Sequence, residues 1–294
     1  MSDPFGSYVG TCPPPLVGYR VTGRYCRTSL SGVDPGVGYE YAMSDRVPIK
    51  SVRTTFELLE ALVTSGGMSL PELSEELAMP RSTVHDYLLS LRNLGYVVKD
   101  GMEYRISTRF LAMGQSARGK IGIFGPAKNT VDDLAEKTGE HASLMIEENG
   151  LGVLLYIAKG ENALDLGVSE GFRMELPTNA PGKAILAHLS TARVEAILDR
   201  HGLPKVTEKT VTSREVLYEQ LEAIREQGYA IDEGERVEGV RAVAAPIVTG
   251  DTVHGALAVS GPAHRLEGTR FETELPDRVL RAANVTQVQY TLGE

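Results

Sequence analysis

Cysteine is nearly missing from this 294-residue chain: Cys12 and Cys26 are the only two, and none follows residue 26. That excludes a thiolate metal site or a cysteine nucleophile from the whole downstream body. A Cys12–Cys26 disulfide is conceivable, yet nothing else points to an oxidising compartment. Tryptophan is absent. No apolar run approaches the roughly 20 residues of a membrane span, and the N-terminus carries no continuous apolar signal core. These absences lead us to expect a cytoplasmic protein. Lysine is also scarce, nine against twenty-one arginines, and with the acidic excess this composition suits a salt-adapted source.

What charge there is falls unevenly. The net charge is −9. Residues 1–42 carry three basic and three acidic side chains; residues 43–120 carry ten and nine; residues 121–294 carry seventeen and twenty-seven. An acidic protein is a poor nucleic-acid binder as a whole, but here the deficit is confined to the second half. Length and a hydrophobic share of 42% suffice for two modest domains, each with its own core.

Residues 1–42 hold seven Gly, five Pro and five of the twelve Tyr, with no helical or strand period. They are expected to form a disordered extension, with Met43 as an alternative start; the competing reading is a small functional arm. Over 51–64, Val52, Phe56, Leu59 and Leu62 recur at helical spacing until Gly66-Gly67. Ser69 and Glu72 form a capping box for a second helix, with Pro71 in its first turn. A third helix is expected to start at Pro80, with Val84, Tyr87, Leu88, Leu91 and Leu94 as its apolar stripe and Gly95 as its stop. Two strand-like runs then flank Asp100-Gly101, a tight-hairpin signal. Three short helices and a hairpin make a winged helix-turn-helix, placed at 43–107.

Residues 107–139 read as helix interrupted around Gly122 to Pro126, so a linker helix is placed at 108–126. Beyond it, at 127–294, strands are expected at HASLMIE, GVLLYIA, ALDLGVS, VRAVAAPIV and TVHGALAVSG. Helices are expected at 182–201, at 213–227 behind a Thr212/Glu215 capping box, and after Thr269. Strand pairs on tight turns with helices between them indicate an antiparallel α+β domain.

The third helix has the division of labour a groove-reading helix needs, one face packed and the other polar. Its stripe leaves Arg81, Ser82, Thr83, His85 and Asp86 for DNA. Lys99 and Arg105 sit in the wing, and Arg46, Lys50 and Arg53 lie at the start of the first helix, a common place for phosphate contacts. Each of these is individually as well explained by a solvated helix face; the order of the elements carries the reading.

Enzymatic readings fare less well. A phosphate loop at Gly182-Lys183 needs Gly at 177 and Ser or Thr at 184, where the chain has Pro177 and Ala184. Asp232, His254 and Ser260 supply triad residue types without a G-x-S-x-G elbow. His141, His188, His254 and His264 lack metal-ligand spacing, and a lone His141 at a strand start suits a core or surface residue. No cofactor is expected.

SLPELSEELAMPRSTVHDYLLSLRNLGYVVKDGMEYRIS resembles the DNA-binding domain of the IclR family of regulators. ELPTNAPGKAILAHL, QGYAIDEGERVEGVRAVAAPIV and ALAVSGP resemble that family's effector domain, so the likeness covers about 46–292. The resemblance implies a GAF-like sensor domain, a homodimer or dimer of dimers on an inverted-repeat operator, and a small-molecule effector. It further implies an effector site lined by Ala163, Leu166, Met174, Ala180, Pro181, Asp232, Val240, Ala242, Ala258 and Ser260. Small and apolar residues leave space there, and Asp232 and Ser260 orient a ligand. The helix opening at Ala180–Lys183 is expected to offer free N–H groups to an anion, so an organic acid is expected. The chain departs from the family pattern at Asp86, usually basic, at Ala242, often Cys, and at Glu233-Gly234-Glu235, where an acidic pair usually follows Asp232. The alternative of another class is a metabolic enzyme with an appended winged helix.

Overall fold

The computed structural model describes residues 47–293. The extension at 1–42 and Arg46 lie outside the described residues. The chain divides into two compact units between Arg105 and Ile106.

In the first unit, helix α1 (Lys50–Ser65) buries Leu58, Leu59 and Leu62 and ends on a left-handed Gly66, whose N–H returns to Val63 O. The expected stripe is displaced on this helix. Val52 and Phe56 stay about half exposed, because the first half of α1 is packed on another side, where Thr54 and Leu58 are buried. Strand β1 (Met68–Ser69) leads into α2 (Leu70–Glu76). There the Glu72 carboxylate accepts from the Ser69 N–H at 2.8 Å and the Ser69 hydroxyl at 2.7 Å. Helix α3 (Arg81–Asn93) has Pro80 as its N-cap rather than its first residue. It buries Val84, Leu88 and Leu91, while Leu94, one residue past the helix, is 60% exposed and drops out of the stripe. Strands β2 (Val97–Asp100) and β3 (Glu103–Ile106) form the wing, with β3 between β1 and β2.

The second unit begins with α4 (Arg109–Gly119), a break, and α5 (Phe124–Thr138). Six antiparallel strands follow: β4 (His141–Glu148), β5 (Leu151–Lys159), β6 (Arg173–Glu175), β7 (Ala230–Asp232), β8 (Val240–Thr249) and β9 (Thr252–Pro262). Their order across the sheet is β6-β5-β4-β9-β8-β7. One face carries Leu144, Val243, Ile247, Leu257 and Val259 against α5 and the C-terminal helix α9 (Leu275–Gly293). The other carries Ala230, Ala242, Ala244, Ala256 and Ala258 against α6 (Ala180–Ala187), α7 (Thr191–His201) and α8 (Arg214–Gln227). Alternation along the strands thus gives the α5–α9 side mostly branched residues, with Ala142 and Ala245 among them, and the α6–α8 side mostly alanines.

Four expectations in this unit need correction. ALDLGVS is not a strand; it lies in the loop 160–172, whose residues Val168 and Phe172 pack on the alanine face. Helix 182–201 is two helices, because Ser190 caps α7 by accepting from Arg193 N. The cap of α8 is Ser213, one residue later than expected, its hydroxyl accepting from Val216 N. The short strands β6 and β7, too short for a readable period, were not expected at all.

Candidate functional site

The first unit presents α3 as a two-faced helix. Arg81, Ser82, His85 and Asp86 are exposed and Thr83 is half-buried, on the side away from Val84, Leu88 and Leu91. His85 Nδ1 and Asp86 Oδ1 lie 3.7 Å apart, so the departure at Asp86 puts a carboxylate beside the imidazole. In the wing, Arg105 reaches Asp100 at 3.2 Å and the Lys99 ammonium lies 5.3 Å from the Tyr104 ring centroid. Both basic groups are thereby oriented while staying exposed. Lys50 is exposed at the first position of α1, and Arg53 is half-buried one turn on.

In the second unit, register brings part of the expected effector set into one row. Asp232 pairs with Ala242, Ala242 with Ser260, and Ser260 with His141, across β7, β8, β9 and β4. Directly paired residues share a face, and this is the alanine face. Ala258 lies in the adjacent row, opposite Ala244 and Ser143, and Val240 flanks the first row opposite Pro262. Ala180 and Pro181 are buried at the start of α6, in the layer covering this face. Ala163 and Leu166 sit half-buried in the loop 160–172. Met174 is set apart: it pairs with Gly152, which pairs with Glu147, six positions along β4 from His141. At the usual strand rise that is about 20 Å.

Asp232 is 5% exposed, and its Oδ1 accepts from Gly234 N at 2.9 Å and Glu235 N at 2.7 Å. Burial pushes its carboxyl up to about 6; the Glu235 charge adds to the rise, while the two backbone donors and Lys183 oppose it. Glu235 in turn is paired with the buried Lys183 ammonium, which also reaches Gln220 at 3.2 Å. Lys183 is therefore structural, and its charge is already spent.

The anion site expected at Ala180–Lys183 is overturned. Pro181 has no N–H, Gly182 donates to Asn179 Oδ1 at 2.8 Å, and Lys183 donates to Asn179 O at 3.0 Å. The turn also lies against Leu176, so close that a Cβ on Gly182 would meet the Leu176 oxygen at 2.1 Å. A helix start that is capped and packed has no room for a carboxylate.

Sequence reasoning left His141 as an ordinary core or surface residue. It is 3% exposed, its Nδ1 stands 3.5 Å from Ser260 Oγ, and its Nε2 is buried with no hydrogen-bond partner among the described residues. Burial, helped by the Lys159 charge, lowers its pKa to about 4, so the ring is neutral. The available signal was its place at the head of a strand, but only pairing could put it beside Ser260. His254 is six positions from Ser260 along β9 and bonds Thr249 at 2.5 Å, so no triad assembles. Among the described residues no cluster of three or more metal-ligating side chains occurs, and no helix is long and apolar enough to cross a membrane.

A winged helix-turn-helix joined to an antiparallel sensor-type α+β domain defines a DNA-binding transcription regulator. Comparison with known proteins makes the family definite. The IclR helix-turn-helix domain matches residues 51–101, and the bacterial transcriptional regulator IclR C-terminal domain matches 115–287. The probable HTH-type regulator ArcR of Halobacterium salinarum is 33% identical over 246 residues, covering 82% of this chain and 94% of that protein. KdgR of Escherichia coli is 30% identical, covering 65% and 74%. The Thermotoga maritima IclR crystal structure superposes with a TM-score of 0.72 at 26% identity, covering 82% and 98%. An IclR homologue from Microbacterium hydrocarbonoxydans, solved with 4-hydroxybenzoate, has the same fold, with a TM-score of 0.70 at 20% identity and 82% and 99% coverage. The chain belongs to the IclR family of transcriptional regulators. Its relatives and fold neighbours are regulators, not enzymes, which sets aside the metabolic-enzyme alternative.

Proposed function

We propose that this regulator acts in the cytoplasm as a symmetric dimer, each copy placing α3 in the major groove of an inverted-repeat operator. One winged domain makes too few contacts for operator-level affinity, and two-fold symmetry in the protein calls for two-fold symmetry in the site. The supporting observation is the polar face of α3, where Arg81, Ser82 and His85 are exposed at the N-terminal end, opposite the buried Val84 and Leu88. Arg81→Ala then weakens operator binding by about 1–3 kcal/mol if Arg81 reads a base edge. Equal weakening on a scrambled duplex makes it a phosphate contact, and unchanged binding to both removes it from the interface.

The second half of the proposal is that a small organic acid, seated on the row from Asp232 to Ser260, modulates operator binding. A carboxyl held near 6 by burial can share a proton with an acidic ligand or accept from its hydroxyl, and the residue paired beside it, Ala242, is small. An acid bound by the fold neighbour, 4-hydroxybenzoate, belongs to this ligand class. A thermal-shift screen of organic acids, sugars and amines decides the class: stabilisation by amines or neutral sugars alone refutes it.

A further inference from the structure

We propose that His141 touches the effector directly, donating from Nε2 to a ligand carboxylate, so that the site selects a hydroxy acid of fixed orientation. The two ends of the row have opposite hydrogen-bonding character. At the β7 end Asp232 is an acceptor, its Oδ1 already held by two backbone N–H groups. At the β4 end stands a buried imidazole whose Nδ1 faces Ser260 Oγ. A Ser260 hydroxyl that donates to Nδ1 fixes the neutral tautomer with its proton on Nε2. That Nε2–H is a donor, it is buried, and nothing among the described residues accepts from it.

An unpaired buried donor is costly, so folding alone does not account for it. A ligand carboxylate supplies the missing acceptor. Lys159, opposite His141 on β5, is engaged by Asp165 at 3.2 Å, and Lys183 by Glu235, so neither lysine takes over this role. Three strand spacings separate Asp232 from His141, about 14 Å between backbones. A ligand that lies along this row, over Ala242 and Ser260, needs an acceptor at one end and a donor at the other. The carboxylate lies at His141 and Ser260, the hydroxyl at Asp232.

This inference rests on the effector reading above, and the test separates the two. Wild type, His141→Leu and His141→Gln, all as full chains, are titrated with lactate, 4-hydroxybenzoate, benzoate (no hydroxyl) and 4-hydroxybenzyl alcohol (no carboxylate), and melted without ligand. The expected result is a hydroxy acid bound at least tenfold tighter than its counterpart lacking either group. His141→Leu removes the preference for the carboxylate and leaves the alcohol unaffected; His141→Gln, which keeps a donor, restores part of it. Without ligand, His141→Leu melts about 2–6 °C higher, because the orphan donor is gone. A carboxylate preference that survives in His141→Leu overturns the proposal, as does a lower ligand-free midpoint for that variant. If none of the four compounds binds wild type, the organic-acid reading fails, and the ligand-free melts still decide whether Nε2 serves folding.

Discussion

The two buried ionisable residues of the row shift in opposite directions, and each makes its own pH signature. Asp232 is raised from 3.8 to about 6, so its contribution to stability is fully present below pH 3.8 and is lost as pH rises through 6. His141 is lowered from 6.5 to about 4, so its contribution is present above 6.5 and is lost as pH falls toward 4. In the wild type the two slopes oppose each other across nearly the same window. Asp232→Asn keeps an oxygen for the Gly234 and Glu235 donors and removes the charge. Denaturant titrations should find it more stable than wild type at pH 8, by up to about 3 kcal/mol, with the advantage vanishing toward pH 4. His141→Leu should show the reverse trend, its advantage growing as pH drops from 6.5. Parallel pH profiles for both variants would refute the assignment. Neither shift was readable in the sequence, since both arise chiefly from burial in the folded domain.

At the scale of elements, the hairpin turns and the Ser69 cap were legible, while the cap of α8 fell one residue later than expected and the Ser190 cap of α7 was missed. Ser69 and Glu72 close a capping box as their spacing requires, and Ser69→Ala should cost about 0.5–2 kcal/mol, read from the urea midpoint. The turn from α2 to α3 holds a feature the sequence conceals. Ala78 has a φ of 50°, a left-handed conformation that favours glycine. Ala78→Gly should therefore stabilise the winged domain by about 0.5–1 kcal/mol, the relieved strain exceeding the added chain entropy. A loss of stability would mean that the Ala78 methyl contributes packing, although the residue is exposed. Apolar periodicity was only partly dependable. Val52 and Phe56 fit the helical period of α1 yet remain half exposed, since period shows that a face exists and not which side of the helix a partner meets.

For the molecule as a whole, ligand and stability are linked. An effector at a hundred times its dissociation constant adds about 2.7 kcal/mol to the unit that binds it. Differential scanning calorimetry with the hydroxy acid selected above should show that increment in the transition of the second unit. A ligand that shifts only the first unit's transition would put the sensor site in the wrong half. Charge makes a second whole-molecule expectation. The basic residues at 43–120 balance the acidic ones, while residues 121–294 carry the acidic excess. Operator affinity should consequently fall with salt through a few phosphate contacts rather than a broad basic surface, and Lys99→Ala should lower the log–log salt slope by about 1 if Lys99 meets a phosphate.

By itself the sequence determined the kind of protein this is. The Ser69 cap, the Asp100-Gly101 hairpin and the strand pairs 141–159 and 240–262 are local, and each declares itself within a few residues. It also carried the family motifs, from which most of the sensor row was named. Tertiary structure decided what those residues can do. Whether the N–H groups at Ala180–Lys183 are free depends on Asn179 and on the close approach of Leu176, a packing event the helix signal does not contain. Whether His141 belongs with Ser260 depends on β4 pairing with β9, strands more than a hundred residues apart. Sequence periodicity reports which face of a strand a side chain takes; only the register of long-range pairing reports which side chains it meets there.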